Sequence, residues 1–157
     1  MSYDSTIEDL VDSVHTFLQT NVPAYVTAIN TAKDDGLTLA AIREFVVSDQ
    51  DPYSGSMRPR MQLYVEGMET EHIASGWARA VMTFTALISI DDSSDQRKRL
   101  VRYTEAVRQA LRDYYDIGEQ DFDIDPRGMS IAYFPTDPET AVGIATIRFR
   151  AIKEIPA

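Results

Sequence analysis

Three aspartates alternate in the run QDFDIDPRG, at Asp121, Asp123 and Asp125, with Asp116 and Glu119 close by in the chain. Carboxylates at this density are the donors a hard cation such as Ca2+ takes. The segment lacks the ordered ligand spacing and the closing Glu of an EF-hand loop, and a solvated acidic edge explains the same residues. Asp123 and Asp125 also make the one carboxylate pair on which general acid–base chemistry would rest. Two histidines, His15 and His72, stand outside any His-x-x-x-His or Glu-x-x-His pattern, so neither reads as a zinc or iron ligand. There is no Gly-rich phosphate loop and no Gly-x-Ser-x-Gly elbow, and with no cysteine in the chain thiolate chemistry is excluded. No catalytic, cofactor-binding or metal-ligating residue is therefore assigned, and the chain reads as a protein that is not an enzyme.

The remaining chemistry is that of contact. Arg97, Lys98, Arg99, Arg102, Arg108 and Arg112 supply six of the 15 cations. Arg108 and Arg112 are four apart and share a helical face. Such a face binds phosphate, meets an acidic surface on a neighbouring subunit, or is simply solvated. The turn-rich segment DQDPYSGSMRPR carries Tyr53, Met57, Arg58 and Arg60. Aromatic, Met and Arg side chains are enriched where proteins meet, so this long loop is a candidate contact arm.

These residues must be positioned by elements whose periodicities are readable. Ser5 to Glu8 fits a capping box. Ile7, Leu10, Val11, Val14, Phe17 and Leu18 then follow at amphipathic helical spacing over about residues 6–20. Asn21-Val22-Pro23 reads as a break, with Pro23 opening a second, shorter helix that Gly36 ends. Short strands are expected at 44–48 and 61–66, joined by the 49–60 loop, and 67–76 reads as a polar connector. WARAVMTFTALISI places Ala78, Ala80, Met82, Phe84, Ala86, Ile88 and Ile90 on one face of a strand. Ser93 with Gln96 suggests another capping box. Leu100, Tyr103, Val107, Leu111 and Tyr114 mark the buried stripe of a long helix that ends near Gly118. Strands at 129–134 and 141–154 complete the order α-α-β-β-β-α-β-β. Short turns between neighbouring strands favour antiparallel pairing. The expected fold is α+β: an antiparallel sheet of about four to five strands packed against the long helix and an N-terminal helix pair, in a single domain over 1–157.

Composition sets the outer limits. The net charge is −10, and the segment 1–75 carries 12 acidic and 4 basic residues, a balance of −8. Such a surface repels nucleic acid, since tight binding needs clustered Lys and Arg. It suits self-repelling solubility, and it also suits a passage through which DNA must slide without sticking. No run of about 18 apolar residues is present, so no membrane span is expected. The acidic N-terminus lacks the features of a secretory signal, which implies a cytoplasmic site of synthesis.

In the order and texture of NVPAYVTAINTAKDDGL, EFVVSD, LYVEG and TFTALISIDD running into QRKRLVRYTEAVRQALRD, the chain resembles the tail-terminator and tail-completion (neck) proteins of long-tailed bacteriophages. The similarity spans about residues 7–149. It implies a structural virion protein, assembled in the host cytoplasm into a ring, commonly a homohexamer. Such a ring ends the tail tube and joins it to the head–neck connector or adaptor, with DNA passing unbound through the lumen. The implied partners are further copies of the chain, the tail tube protein and the connector. Tyr53, Met57, Arg58, Arg60, Arg108 and Arg112 are the candidate interface residues. The alternatives are a stand-alone binding domain for Ca2+ or a peptide, or another neck or head-completion subunit.

Overall fold

A computed structural model describes residues 6–117 and 121–156. Ser5 of the expected capping box, Gly118 and Glu119 lie outside them. The fold is mixed α+β, in the order α1 (Thr6–Ala32), β1 (Glu44–Val47), β2 (Arg60–Ala74), β3 (Trp77–Ile90), α2 (Gln96–Arg112), a single turn α3 (Tyr114–Ile117), β4 (Asp123–Tyr133) and β5 (Gly143–Pro156). The strands form one sheet in the order β1-β2-β3-β5-β4. Every pairing is antiparallel except β1 with β2, which is parallel. The expected all-antiparallel sheet is corrected accordingly: β1 reaches β2 through the long 48–59 loop rather than a tight turn, and that length allows a parallel return.

The core forms between one face of the sheet and the helices. Every even residue of β3 from Ala78 to Ile90 is buried, and Phe84 stacks on Phe149 of β5 with ring centroids 5.5 Å apart. Leu100, Tyr103, Val107, Leu111 and Tyr114 are buried as the helical spacing predicts. The Tyr103 hydroxyl donates to the Ala40 carbonyl at 2.5 Å, and burial pushes its pKa up to about 12. Arg102, read from sequence as part of a solvated basic face, is buried. It donates to the Leu37 carbonyl at 2.8 Å and pairs with Asp35, which also meets Lys98 at 3.0 Å. That pairing ties the chain after α1 to α2 and holds the Asp35 carboxyl well below the usual range.

Two readings of the sequence are overturned. The N-terminal helix pair is one continuous helix with Pro23 in its interior. Proline removes a helical hydrogen bond at a cost of about 3 kcal/mol. Here the apolar stripe Leu10, Val14, Phe17, Leu18, Val22, Val26, Ile29 passes through it in phase, and all seven side chains are buried. Stripe burial, at roughly 1.5–3 kcal/mol per large side chain, outweighs that cost. The second reversal concerns 67–76. It is strand, not connector: β2 and β3 pair to the tip of a long hairpin, turning at Ser75–Gly76, where Gly76 has φ +82°.

The expected Ser93–Gln96 capping box is also absent. The cap is Asp95, in the left-handed region and without a side-chain capping bond. Gln96 instead donates to the carbonyls of Asp91 (3.1 Å) and Ala141 (2.9 Å) and accepts from the Thr136 hydroxyl at 2.6 Å. It thereby ties the start of α2 to the turn before β5, against Gly143. A Cβ at Gly143 would lie 2.6 Å from Gln96 Cδ. Gly143→Ala is therefore expected to destabilise the protein by about 1–3 kcal/mol, the usual cost of overpacking, read as a lower urea midpoint with an unchanged slope.

Candidate interface surfaces

The 48–59 loop folds over the sheet face opposite the helices. Asp51 organises it by accepting from the backbone N–H groups of Tyr53 (3.0 Å) and Ser54 (3.1 Å) and from the Ser54 hydroxyl (2.7 Å). Two predicted contact residues prove to be internal fasteners. Arg58 is 6% exposed and donates to the carbonyls of Gly55, Pro52 and Ser54 at 2.7–3.0 Å, with Asp91 3.6 Å away. Arg60 is 4% exposed and donates to Pro52 and Ser54, both at 3.0 Å. Neither stands free on the surface of this chain: a loop carbonyl cluster accepts from Nη1 and Nη2 of Arg58 and from Nη2 of Arg60 inside the fold. The loop is pinned further by Gln62 Nε2 and the Tyr64 hydroxyl, which both donate to the Gln50 carbonyl. Tyr53 and Met57 remain exposed on its outer side.

Arg108 and Arg112 lie on the helix side of the sheet, so the structure does not bring them to the loop. They border a cleft of about 350 Å³ between the end of α2 and β4, floored by Leu111, Ile124, Met129 and Ile131. Tyr115, 68% exposed, stands beside it. Both arginines are held by forked ion pairs. Arg108 donates through Nε (2.9 Å) and Nη2 (2.5 Å) to Glu105, and Arg112 through Nε (2.8 Å) and Nη2 (3.1 Å) to Asp113. Tyr25 of α1 donates to the same Asp113 at 3.0 Å. The Arg108 guanidinium lowers the Glu105 pKa to about 2. Each fork fixes a guanidinium by one edge and leaves its Nη1 group outside the pair.

Sequence reasoning missed the third surface. Beyond Leu63 the outer edge of β2 pairs with no described strand, because β1 covers only Arg60–Leu63. A bulge at Glu66 and another at Ile73 shift the β2–β3 register. Along this arm Val65, Met68, Ile73 and Trp77 are exposed, Trp77 by 51%. Val65 and Met68 lie on the helix side of the sheet and Trp77 on the other, so apolar side chains are exposed on both faces of the arm, and exposed apolar clusters mark interaction surfaces. Glu66 is held by Arg148 at 2.9 Å and by the Thr85 hydroxyl, while Glu69 and Glu71 are exposed. Met68, Thr70 and His72 alternate with Glu69 and Glu71. That alternation was the available signal, but it carries little apolar weight because both faces are wet.

The aspartate run does not converge. Asp121 takes the Ser13 hydroxyl and Lys153, Asp123 takes the Tyr115 hydroxyl, and Asp125 takes the Arg127 backbone N–H at 3.0 Å and its guanidinium. Among the described residues no group of three or more His, Asp or Glu side chains is placed to hold a cation. His15 Nε2 donates to the Phe45 carbonyl at 3.0 Å, joining α1 to β1. No protein-family model matches the chain, and no curated protein matches it.

Two outcomes follow. Arg60→Ala removes one of the two donors that reach the Pro52 and Ser54 carbonyls, leaving Arg58 on both, and is expected to cost about 0.5–1.5 kcal/mol, with faster limited proteolysis inside 48–59. Glu105→Gln tests the fork. The folded-state pKa is depressed, so the ionised carboxylate stabilises the protein above its unfolded value near 4.3, and that contribution is lost as pH falls toward about 2. The pair is largely in solvent and is worth roughly 0.3–0.5 kcal/mol. The melting-temperature gap between wild type and variant should be steady above pH 5 and close on acidification.

Proposed function

We propose that this chain is a structural subunit of a phage neck, of the tail-terminator or tail-completion type, that acts by assembling into a ring. The single observation that carries the reading is the projecting β2–β3 arm, with its exposed Val65, Met68, Ile73 and Trp77. Four large apolar side chains exposed on one hairpin are best explained by a partner that covers them. Its distance from the cleft at β4 supplies two different patches on one subunit, which is what a head-to-tail contact needs in order to close into a ring.

The work is geometric. One ring face would seat on the tail tube protein and the other would accept the head–neck connector. The resemblance in sequence supports six copies. The net charge of −10 suits a lumen through which DNA passes without being held. Each subunit contact would need to bury about 1,000 Å² or more. No bond is made or broken by any side chain in this role.

Mass measurement on the purified protein, alone and mixed with tail tubes, tests the reading, together with micrographs of particles assembled without the chain. The expected results are a closed oligomer, alone or on the tube, and particles in which heads and tails fail to join. Normal joined particles made without the protein would overturn it.

A further inference from the structure

The hydrogen-bond shortfall of this fold is gathered at one place. Among the described residues four buried side-chain atoms have no hydrogen-bond partner, namely Arg58 Nε, Arg60 Nε, Gln62 Oε1 and Ser89 Oγ, and none of them is open to solvent. All four lie at the seat of the 48–59 loop. Arg58 belongs to the loop, Arg60 opens β2, and Gln62 is two residues on along the same face. Ser89 of β3 stands directly opposite Arg60, so the side chain that the loop holds down is its cross-strand neighbour. A Cβ at Gly55 would lie 3.0 Å from Arg60 Nη1, which puts the loop backbone against that guanidinium.

The loop has no apolar anchor to offset the shortfall. Arg58 is the one buried residue between Ser48 and Pro59, and Tyr53 and Met57 are exposed. What holds the loop is polar. Arg58 Nη2 and Arg60 Nη2 donate to the same two carbonyls, those of Pro52 and Ser54, at 2.8–3.0 Å. Two cations are thereby brought together out of water, where like charges repel more strongly. Asp91 stands 3.6 Å from Arg58 with its side chain 64% exposed, and Arg60 has carbonyl acceptors alone.

We propose that the 48–59 loop is a releasable strap, which lifts from β2 and β3 as one unit while the sheet and helices stay folded. Lifting exchanges each polar bond of the strap for one to water and gives the four unpartnered atoms solvent partners. That exchange is nearly neutral for bonds already made and favourable for buried atoms that have none. Segments with few buried apolar contacts are also where local opening costs least. Release sets free Tyr53, Met57, Arg58 and Arg60 together, and so turns the closed loop into the contact arm that its composition suggests. The strap and the ring reading are separate, and neither depends on the other.

The chain has no cysteine, so a single thiol can report the lifting. Ser89→Cys places it beneath the strap and Thr104→Cys places it in α2, at positions 0% and 1% exposed. Both variants are labelled with the thiol reagent DTNB across a urea series. The expected result is labelling of Ser89→Cys at least about a hundredfold faster than Thr104→Cys without urea, and with a urea slope below about half that of global unfolding. Nitrogen-15 exchange on the unsubstituted protein gives a second reading that needs no variant. The Arg60 Nε proton is expected to be protected at least about a hundredfold less than the amides of Phe84 and Ile147. Equal labelling of the two thiols, labelling of Ser89→Cys with the full unfolding slope, or an Arg60 Nε proton as protected as those amides would each overturn the proposal.

Discussion

The structure depends on the burial of one face of the β3–β5 pair beneath α2. These strands pair along their whole lengths, Trp77–Ile90 against Gly143–Pro156. Phe84, Ala86, Ile88, Ala145, Ile147 and Phe149 on that face are fully buried. At about 25 cal/mol for each Å² of apolar surface removed from water, this layer is the main term holding the sheet to the helices. Because the centre of the sheet is secured in this way, its two edges are released from structural duty. One edge extends as an arm and the other opens as a cleft.

Arginine serves two ends in this chain, and residue type alone does not separate them. Arg58, Arg60 and Arg102 are buried and donate to carbonyls of nearby loops, Arg102 also to the Asp35 carboxylate. Arg108 and Arg112 face solvent and are set by neighbouring carboxylates. The first set replaces water for loop backbone that regular structure leaves unpaired. The second is oriented without being used up. A guanidinium with five donors in a fixed fork can do either, which a lysine cannot.

The elements that were legible from sequence bury a single face. The alternation in WARAVMTFTALISI and the stripe from Leu100 to Tyr114 follow directly from β and α periods against one core. Failures came where distant contacts overrule local signals. Pro23 is a helix breaker in isolation and a passenger in a stripe of seven buried side chains. Gln96 reads as a capping residue but is drawn to the Ala141 carbonyl, 45 positions away. The arm escaped notice because a strand wet on both faces has no apolar rhythm. For the candidate site, the spacing of Arg108 and Arg112 was readable. The cleft beside them was not, since its floor needs Ile124 on a strand that begins six residues before the expected one.

The open outer edge of β2 has a cost that its sequence addresses. An unpaired strand edge is a template on which any other extended chain can add, and a run with Val65, Met68 and Ile73 would be a seed for amyloid-like stacking. Glu66, Glu69 and Glu71 stand along that edge. Two such edges brought side by side would crowd six carboxylates together. The glutamates thus act as gatekeepers: their like charges bar fibrous self-addition along an edge that no described strand covers.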